Sequence, residues 1–296
     1  MSFSLDLKNE LSIISSSNKD EIIYELKALF DFNKHTLTNG VVVFSTGNKT
    51  ASDRLSFLYD SLYSKEIIET KRIVNNRVIK YDTYIDNVNF YNEYINKYED
   101  IEKIDETLKY SYLRGAYISS GSISDPKKSE YHMEIYNDNS SKIVYLQNIL
   151  NSFELNSKIT KRRNGYICYL KKADNIILFV QMLGSQEMYM EYESIKTSRD
   201  VNNLVSRRTN CDVANSIKTI ENANEQIRLI EYIESKYDIN SLDEKLRQVI
   251  TIRKENDSAS LKELVELYCK KYNEQITKSG LNHRLNRLKE LFGKKV

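Results

Sequence analysis

Near the C-terminus, Lys278, Ser279, Asn282, His283, Arg284 and Arg287 bring cations, a hydroxyl, an amide and an imidazole together within ten residues. Side chains of these types suit double-stranded DNA, because cations and hydroxyls hold phosphate oxygens while amide, imidazole and guanidinium groups meet base edges. Arg284 and Arg287, three residues apart, are placed to grip phosphate, and Lys278, Ser279, Asn282 and His283 lie early enough to approach bases. If Asn282 reads an adenine edge, its loss costs about 1–3 kcal/mol and relaxes specificity, whereas uniform weakening marks a phosphate role.

Two short helices must position these groups. Ser260-Leu261-Lys262-Glu263 matches a capping box and opens a helix with Leu261, Leu264, Val265, Leu267 and Tyr268 on its apolar side. Thr277 caps a second helix with Leu281, Leu285, Leu288 and Phe292 inward. Such a pair makes a helix-turn-helix, whose second helix enters the major groove. From Lys262 to Val296 nine Lys/Arg face four Glu, an excess of five against +2 for the whole chain. That asymmetry is the footprint of phosphate contact; a solvated charged helix in a small helical cap is the alternative.

Secondary DNA contact is assigned to Lys161, Arg162 and Arg163, in a basic cluster from Lys158 to Lys172 without an acid, and to Arg207 and Arg208. For the first group a solvated hairpin whose lysines discourage edge pairing is the favoured alternative. In the second block, Arg207, Arg208, Asn210, Asn215 and Lys218 suit either phosphate or a domain junction.

Composition narrows the class. The 296 residues allow two or three domains. Abundant Lys, Asn, Ile and Tyr with one proline suggest AT-rich coding. Cys168, Cys211 and Cys269 lie far apart in no metal-binding spacing, and His35, His132 and His283 are equally scattered, so neither metal nor cofactor is expected. No signal peptide or apolar run long enough to span a bilayer is seen, which points to a cytoplasmic chain with no membrane partner; the DNA contact expected of the C-terminal residues would associate it with the nucleoid.

Along the chain, helices are expected over Ser4–Ser17 and from a cap at Asp20 through Phe32. Asn39-Gly40 marks a hairpin, a helix covers Thr50–Tyr63, and strands Ile67–Val74 and Arg77–Asp82 join at Asn75-Asn76. Asn89–Lys109, with six acids and three bases, reads as a solvated helical connector. The order then recurs: a helix from Asp105 to Ser120, a turn at Asp125-Pro126, a strand over Glu130–Tyr136, and a helix over Ser140–Phe153. A hairpin around Asn164-Gly165 and a closing helix over Ala173–Leu183 complete it. Landmarks recur at separations of 87 (Leu26 to Leu113), 86 (Gly40 to Pro126) and 89 (Asn76 to Gly165). Two copies of an αββαββ unit are the simplest account. Gly115 and Ala116 are small enough for a close helix pair, which would offset the cost of a helical glycine.

The stretch Leu113-Arg114-Gly115-Ala116-Tyr117-Ile118-Ser119-Ser120-Gly121-Ser122 resembles the helix of LAGLIDADG homing endonucleases, whose eighth motif position carries a metal-binding acid. That position is Ser120 here, and Asn33 in the eroded copy beginning at Leu26. Neither offers the anionic oxygen a hard cation needs; Asp31, at the sixth position, faces elsewhere. The chain is similar to the WhiA family along nearly its whole length. The likeness is carried by Arg114-Gly115-Ala116 with Gly121-Ser122 and Asp125-Pro126, by Asn210-Cys211-Asp212-Val213-Ala214-Asn215 with Lys218-Thr219, and by Lys278-Ser279-Gly280-Leu281-Asn282-His283-Arg284-Leu285.

The resemblance implies an α+β chain: two LAGLIDADG-like αββαββ repeats forming a pseudo-twofold domain, joined by a helical linker to an all-α helix-turn-helix domain. The expected segments are 1–100, 101–198, 199–238 and 239–296. It also implies a non-enzymatic transcriptional regulator tied to cell division and chromosome segregation, with sporulation in some relatives. Its partners would be double-stranded DNA, the transcription machinery or a partner regulator. A division scaffold that binds proteins through the repeats, and a residual metal-dependent nuclease, are the competing readings.

Overall fold

The computed structural model describes residues 2–63, 68–75, 78–95, 100–128 and 130–293. Helix α1 (Phe3–Ser12) buries Phe3, Leu7 and Leu11 at four-residue spacing. Helix α2 (Lys19–Asp31) is capped by Asn18, not Asp20: the Asn18 side chain accepts from the Asp20 amide at 2.9 Å, which leaves Asp20 in the first turn near the helix's positive end. Strands β1 (Lys34–Thr38) and β2 (Val41–Thr46) close around Asn39 (φ 49°) and Gly40 (φ 82°), both left-handed as a two-residue hairpin turn requires. Helix α3 (Lys49–Tyr63) and strands β3 (Ile68–Asn75) and β4 (Val78–Ile85) complete the first repeat. Of the expected strand ends here, Ile67, Asn76 and Arg77 lie outside the described residues.

The connector is not a solvated helix. It breaks into α4 (Val88–Phe90), a π turn at Tyr91–Ile95 and a 3-10 turn at Ile101–Lys103, and it buries Phe90, Ile95 and Ile104. Those three apolar side chains are drawn inward despite the surrounding acids.

The second repeat follows: α5 (Glu106–Ser120), β5 (Gly121–Ile123), β6 (Met133–Asn137), α6 (Ser140–Ser152), β7 (Lys158–Arg162), β8 (Gly165–Leu170) and the closing α7 (Ala173–Met182). Both sheets are antiparallel and share one topology, β1-β2-β4-β3 and β5-β6-β8-β7. Gly165 is a strand residue rather than a left-handed turn residue: Arg162 pairs with it across the loop, and a Cβ there would lie 2.6 Å from the Asn137 carbonyl oxygen.

The repeats meet along α2 and α5. A Cβ on Gly115 would stand 2.4 Å from the Glu25 carbonyl oxygen and 2.9 Å from the Ala28 Cβ, so the backbones approach as closely as a glycine allows. Each repeat also reaches into the other. The Asn48 amide donates to the Ile118 carbonyl at 2.8 Å, and the Asn137 amide donates to the Asp31 carbonyl at the same distance. This exchange expresses the pseudo-twofold relation in hydrogen bonds.

Helix α8 (Gln186–Lys236) is one continuous element of 51 residues. Its N-terminus is held by Glu10 of α1, whose carboxylate accepts from the Ser185 hydroxyl and from the Glu187 and Met188 amides. The chain divides into two compact units, Met1–Arg199 and Asp200–Val296. In the second unit, α9 (Glu244–Glu255), which sequence spacing had not revealed, packs with α10 (Leu261–Tyr272) and α11 (Lys278–Phe292). Among the described residues no helix is long and apolar enough to cross a membrane.

Candidate nucleic-acid interface

The helix-turn-helix is built from its caps and its core. The Ser260 side chain accepts from the Glu263 amide at 3.3 Å, and the Glu263 carboxylate accepts from the Ser260 amide at 2.7 Å, completing the capping box. Asn273 ends α10 in the left-handed region at φ 50°. The Thr277 hydroxyl then accepts from the Gly280 amide at 3.1 Å and starts α11. Val249 and Ile252 of α9, Leu264 and Tyr268 of α10, and Leu281 and Leu285 of α11 fill one core. This packing fixes which side of α11 faces out.

The six residues singled out on α11 separate into three settings. Lys278, Ser279, His283 and Arg287 are exposed. Asn282 is half-buried and lines a cleft against α8 of about 460 Å³, beside Asn222, Gln226 and Asn286. Arg284 is turned inward: it donates to the Tyr268 hydroxyl at 2.6 Å and to the Glu274 carboxylate at 3.0 Å, and stacks 5.3 Å from the Tyr268 ring. Its hydrogen bond holds the Glu274 carboxyl below its ordinary pKa. Arg284 and Arg287 thus stand in different settings: one guanidinium is engaged with Tyr268 and Glu274 and the other is exposed.

Lys161, Arg162 and Arg163 are exposed on β7 and its turn, where Arg162 reaches the Glu134 carboxylate at 2.7 Å. Arg207 and Arg208 are exposed on α8, and between Asp200 and Asn222 no residue of that helix is buried. The structure thus gathers the α11 residues in the second unit and leaves the β7 cluster in the first.

At the ends of α2 and α5, the two positions where a nuclease needs acids carry internal hydrogen bonds. The Asn33 amide donates to the Leu29 carbonyl and the Ser119 hydroxyl, each at 2.9 Å, and the Ser120 hydroxyl donates to the Tyr136 carbonyl at 2.6 Å. Asp31 is also occupied, accepting from Lys142 at 2.5 Å and from the Tyr112 hydroxyl at 2.8 Å. Burial raises its pKa, and Lys142 opposes that shift. Among the described residues no group of three or more His, Cys, Asp or Glu is arranged to hold a metal ion.

Fold and site together define a class: a LAGLIDADG-like αβ scaffold followed by a helix-turn-helix. The WhiA LAGLIDADG-like domain matches residues 109–202 and the WhiA C-terminal HTH domain matches residues 205–292. The probable cell division protein WhiA of Staphylococcus aureus is 34% identical over 309 residues, covering 99% of this chain and 97% of that protein. Full-length WhiA from Thermotoga maritima has a TM-score of 0.63 at 29% identity, covering 99% of both chains. The solved N-terminal LAGLIDADG domain of WhiA gives 0.53 at 27% identity, covering 63% of this chain and 94% of that one. The chain belongs to the WhiA family.

Proposed function

We propose that this protein is a sequence-specific DNA-binding regulator, without nuclease activity, that acts in transcriptional control of cell division and chromosome segregation. The observation that carries this reading is the exposed face of α11, where Ser279, His283 and Arg287 stand together on a helix whose opposite side is fixed by Leu281, Leu285 and Leu288, with Lys278 exposed at its first residue. Ser279 and His283 meet base edges, Arg287 and Lys278 hold phosphate or guanine, and Arg284 positions the helix. The internal use of Asn33, Ser120 and Asp31 supports the loss of metal-dependent cleavage. By this reading the protein works on the nucleoid, with transcription machinery or a partner regulator beside it.

Selection of bound sequences from a random duplex pool with the intact chain tests the reading. The expected result is a defined recognition site whose affinity falls steeply with salt, and whose base preference changes in His283→Ala. Binding with no sequence preference would sink it. So would strand cleavage of that site on adding magnesium or manganese, and DNA affinity too weak to compete with a protein partner captured by the repeats would favour the scaffold reading.

A further inference from the structure

The cleft between α8 and α11 continues upstream along α8 as an exposed, cationic stripe. Asn222, Gln226 and Leu229 share the face of α8 that lines the cleft. Counting back from Asn222 by four, three, four and three residues gives Lys218, Asn215, Cys211 and Arg208, and Arg207 lies four before Cys211. At about 100° per residue, all fall within about 60° of the Asn222 direction. Between Arg207 and Asn222 this face holds three cations and no acid, because Asp212 and Glu221 turn aside by about 80° and 100°. The exposed apolar residues Val213, Ile217 and Ile220 lie on the opposite side.

Contacts advance together along the two helices. Asn282 shares the cleft with Asn222, Lys289 pairs with Glu225 at 3.2 Å, Leu288 packs with Ile230 and Ile233, and Phe292 meets Tyr237 at 4.9 Å. The N-terminal end of α11 therefore adjoins Asn222, and α8 runs on past it for the roughly 21 Å that 14 helical residues span.

We infer that this seam is a sugar–phosphate track, in which one DNA strand lies along Lys218 and Arg208 of α8 and the Asn282 and Asn286 flank of α11. The chemistry fits at each point. Cations without an intervening acid attract phosphates, carboxamides from both helices donate to phosphate and sugar oxygens, and the half-buried Leu229 offers apolar surface to deoxyribose. The Lys289–Glu225 pair at the rim is exposed on both sides, so opening it costs little. On this assignment Asn282 holds backbone rather than a base, and specificity is left to Ser279, His283 and Arg287. The α8 stripe also lengthens the contact to one side of the bases that α11 reads.

The inference rests on DNA reading by α11, and the experiment separates the two. Binding of the selected duplex by the full-length chain is measured from 50 to 200 mM salt for Arg208→Ala, Lys218→Ala, Asn282→Ala, His283→Ala and, as a control off the stripe, Asn210→Ala. Arg208→Ala and Lys218→Ala should each reduce the slope of log affinity against log salt by about 0.9, the value for one phosphate contact, with base preference unchanged. Asn282→Ala should weaken all sequences by the same factor, and Asn210→Ala should bind as the unaltered chain. Unchanged slopes in both cation variants, or relaxed base preference in Asn282→Ala, overturn the track while leaving the α11 reading intact. Unchanged base preference in His283→Ala overturns the reading itself, and absence of salt-dependent binding by the unaltered chain overturns both.

Discussion

Glu25 shows how much of the first unit depends on one side chain. Its two oxygens accept from Arg54 at 2.7 and 2.9 Å and from Arg114 at 2.9 Å, and all three side chains are almost wholly buried. The remaining guanidinium donors are absorbed by the Ser12 and Ile14 carbonyls for Arg54, and by the Leu183 carbonyl and Ser111 hydroxyl for Arg114. One acid thus ties α1, α2, α3, α5 and the residue after α7. Glu25→Gln keeps the shape but leaves two buried cations without a counter-charge, and the expected loss is about 3–5 kcal/mol of unfolding free energy in urea. A loss below about 1 kcal/mol would mean that water or backbone oxygens neutralise the arginines unaided. Sequence reading found Arg114 through its motif but not Glu25, because the pair is separated by 89 residues and spacing along a chain carries no sign of a contact between repeats. Arg284 shows the same limit: its spacing from Arg287 was visible, whereas the Tyr268 hydroxyl that claims it was not.

At the scale of elements, the pairing of α2 with α5 rests on Gly115. Gly115→Ala brings a Cβ against a backbone carbonyl, which cannot rotate away, so the helices must separate. The expected cost is about 1–3 kcal/mol, the usual range for overpacking, and it outweighs the gain of about 1 kcal/mol that alanine brings to a helix interior. Denaturant midpoints decide it: a variant more stable than the parent would show that the contact is soft. Elements were legible where local chemistry alone dictates them. Asn39-Gly40 had to be a hairpin turn because both residues are left-handed there, and Ser260 with Glu263 had to open a helix because each satisfies the other's amide. Reading failed where tertiary contact overrode the local signal. Gly165 serves close approach to Asn137 rather than a turn, and Phe90 and Ile95 pull an acidic connector into the core. Helix α9 escaped notice although Leu246, Val249, Ile250 and Arg253 recur at helical spacing, because Arg253 in that stripe looks solvent-facing. In the structure it is 2% exposed, donating to Gln226 at 2.8 Å and to the Ala259 carbonyl at 2.6 Å.

For the whole molecule, each unit keeps its apolar core to itself. The large core runs from Phe3 to Tyr192, and the two smaller ones are built from residues between Ile230 and Leu288. Helix α8 crosses the division, and from Asp200 to Asn222 it buries nothing. A helical stretch of that length without packing is held mainly by its own backbone, and such segments open at low free energy. Brief trypsin treatment should therefore cut first at Arg207, Arg208 or Lys218, all exposed there, and yield two fragments that remain resistant. Calorimetry of the intact chain should resolve two transitions rather than one, because the residues of each core belong to one unit alone. The fragment beginning after Arg208 should keep the α9–α11 core, since its buried residues all lie downstream. First cleavage inside β7 or α6, or a single sharp transition for the intact chain, would show that the units share stabilising surface and that α8 is protected by it.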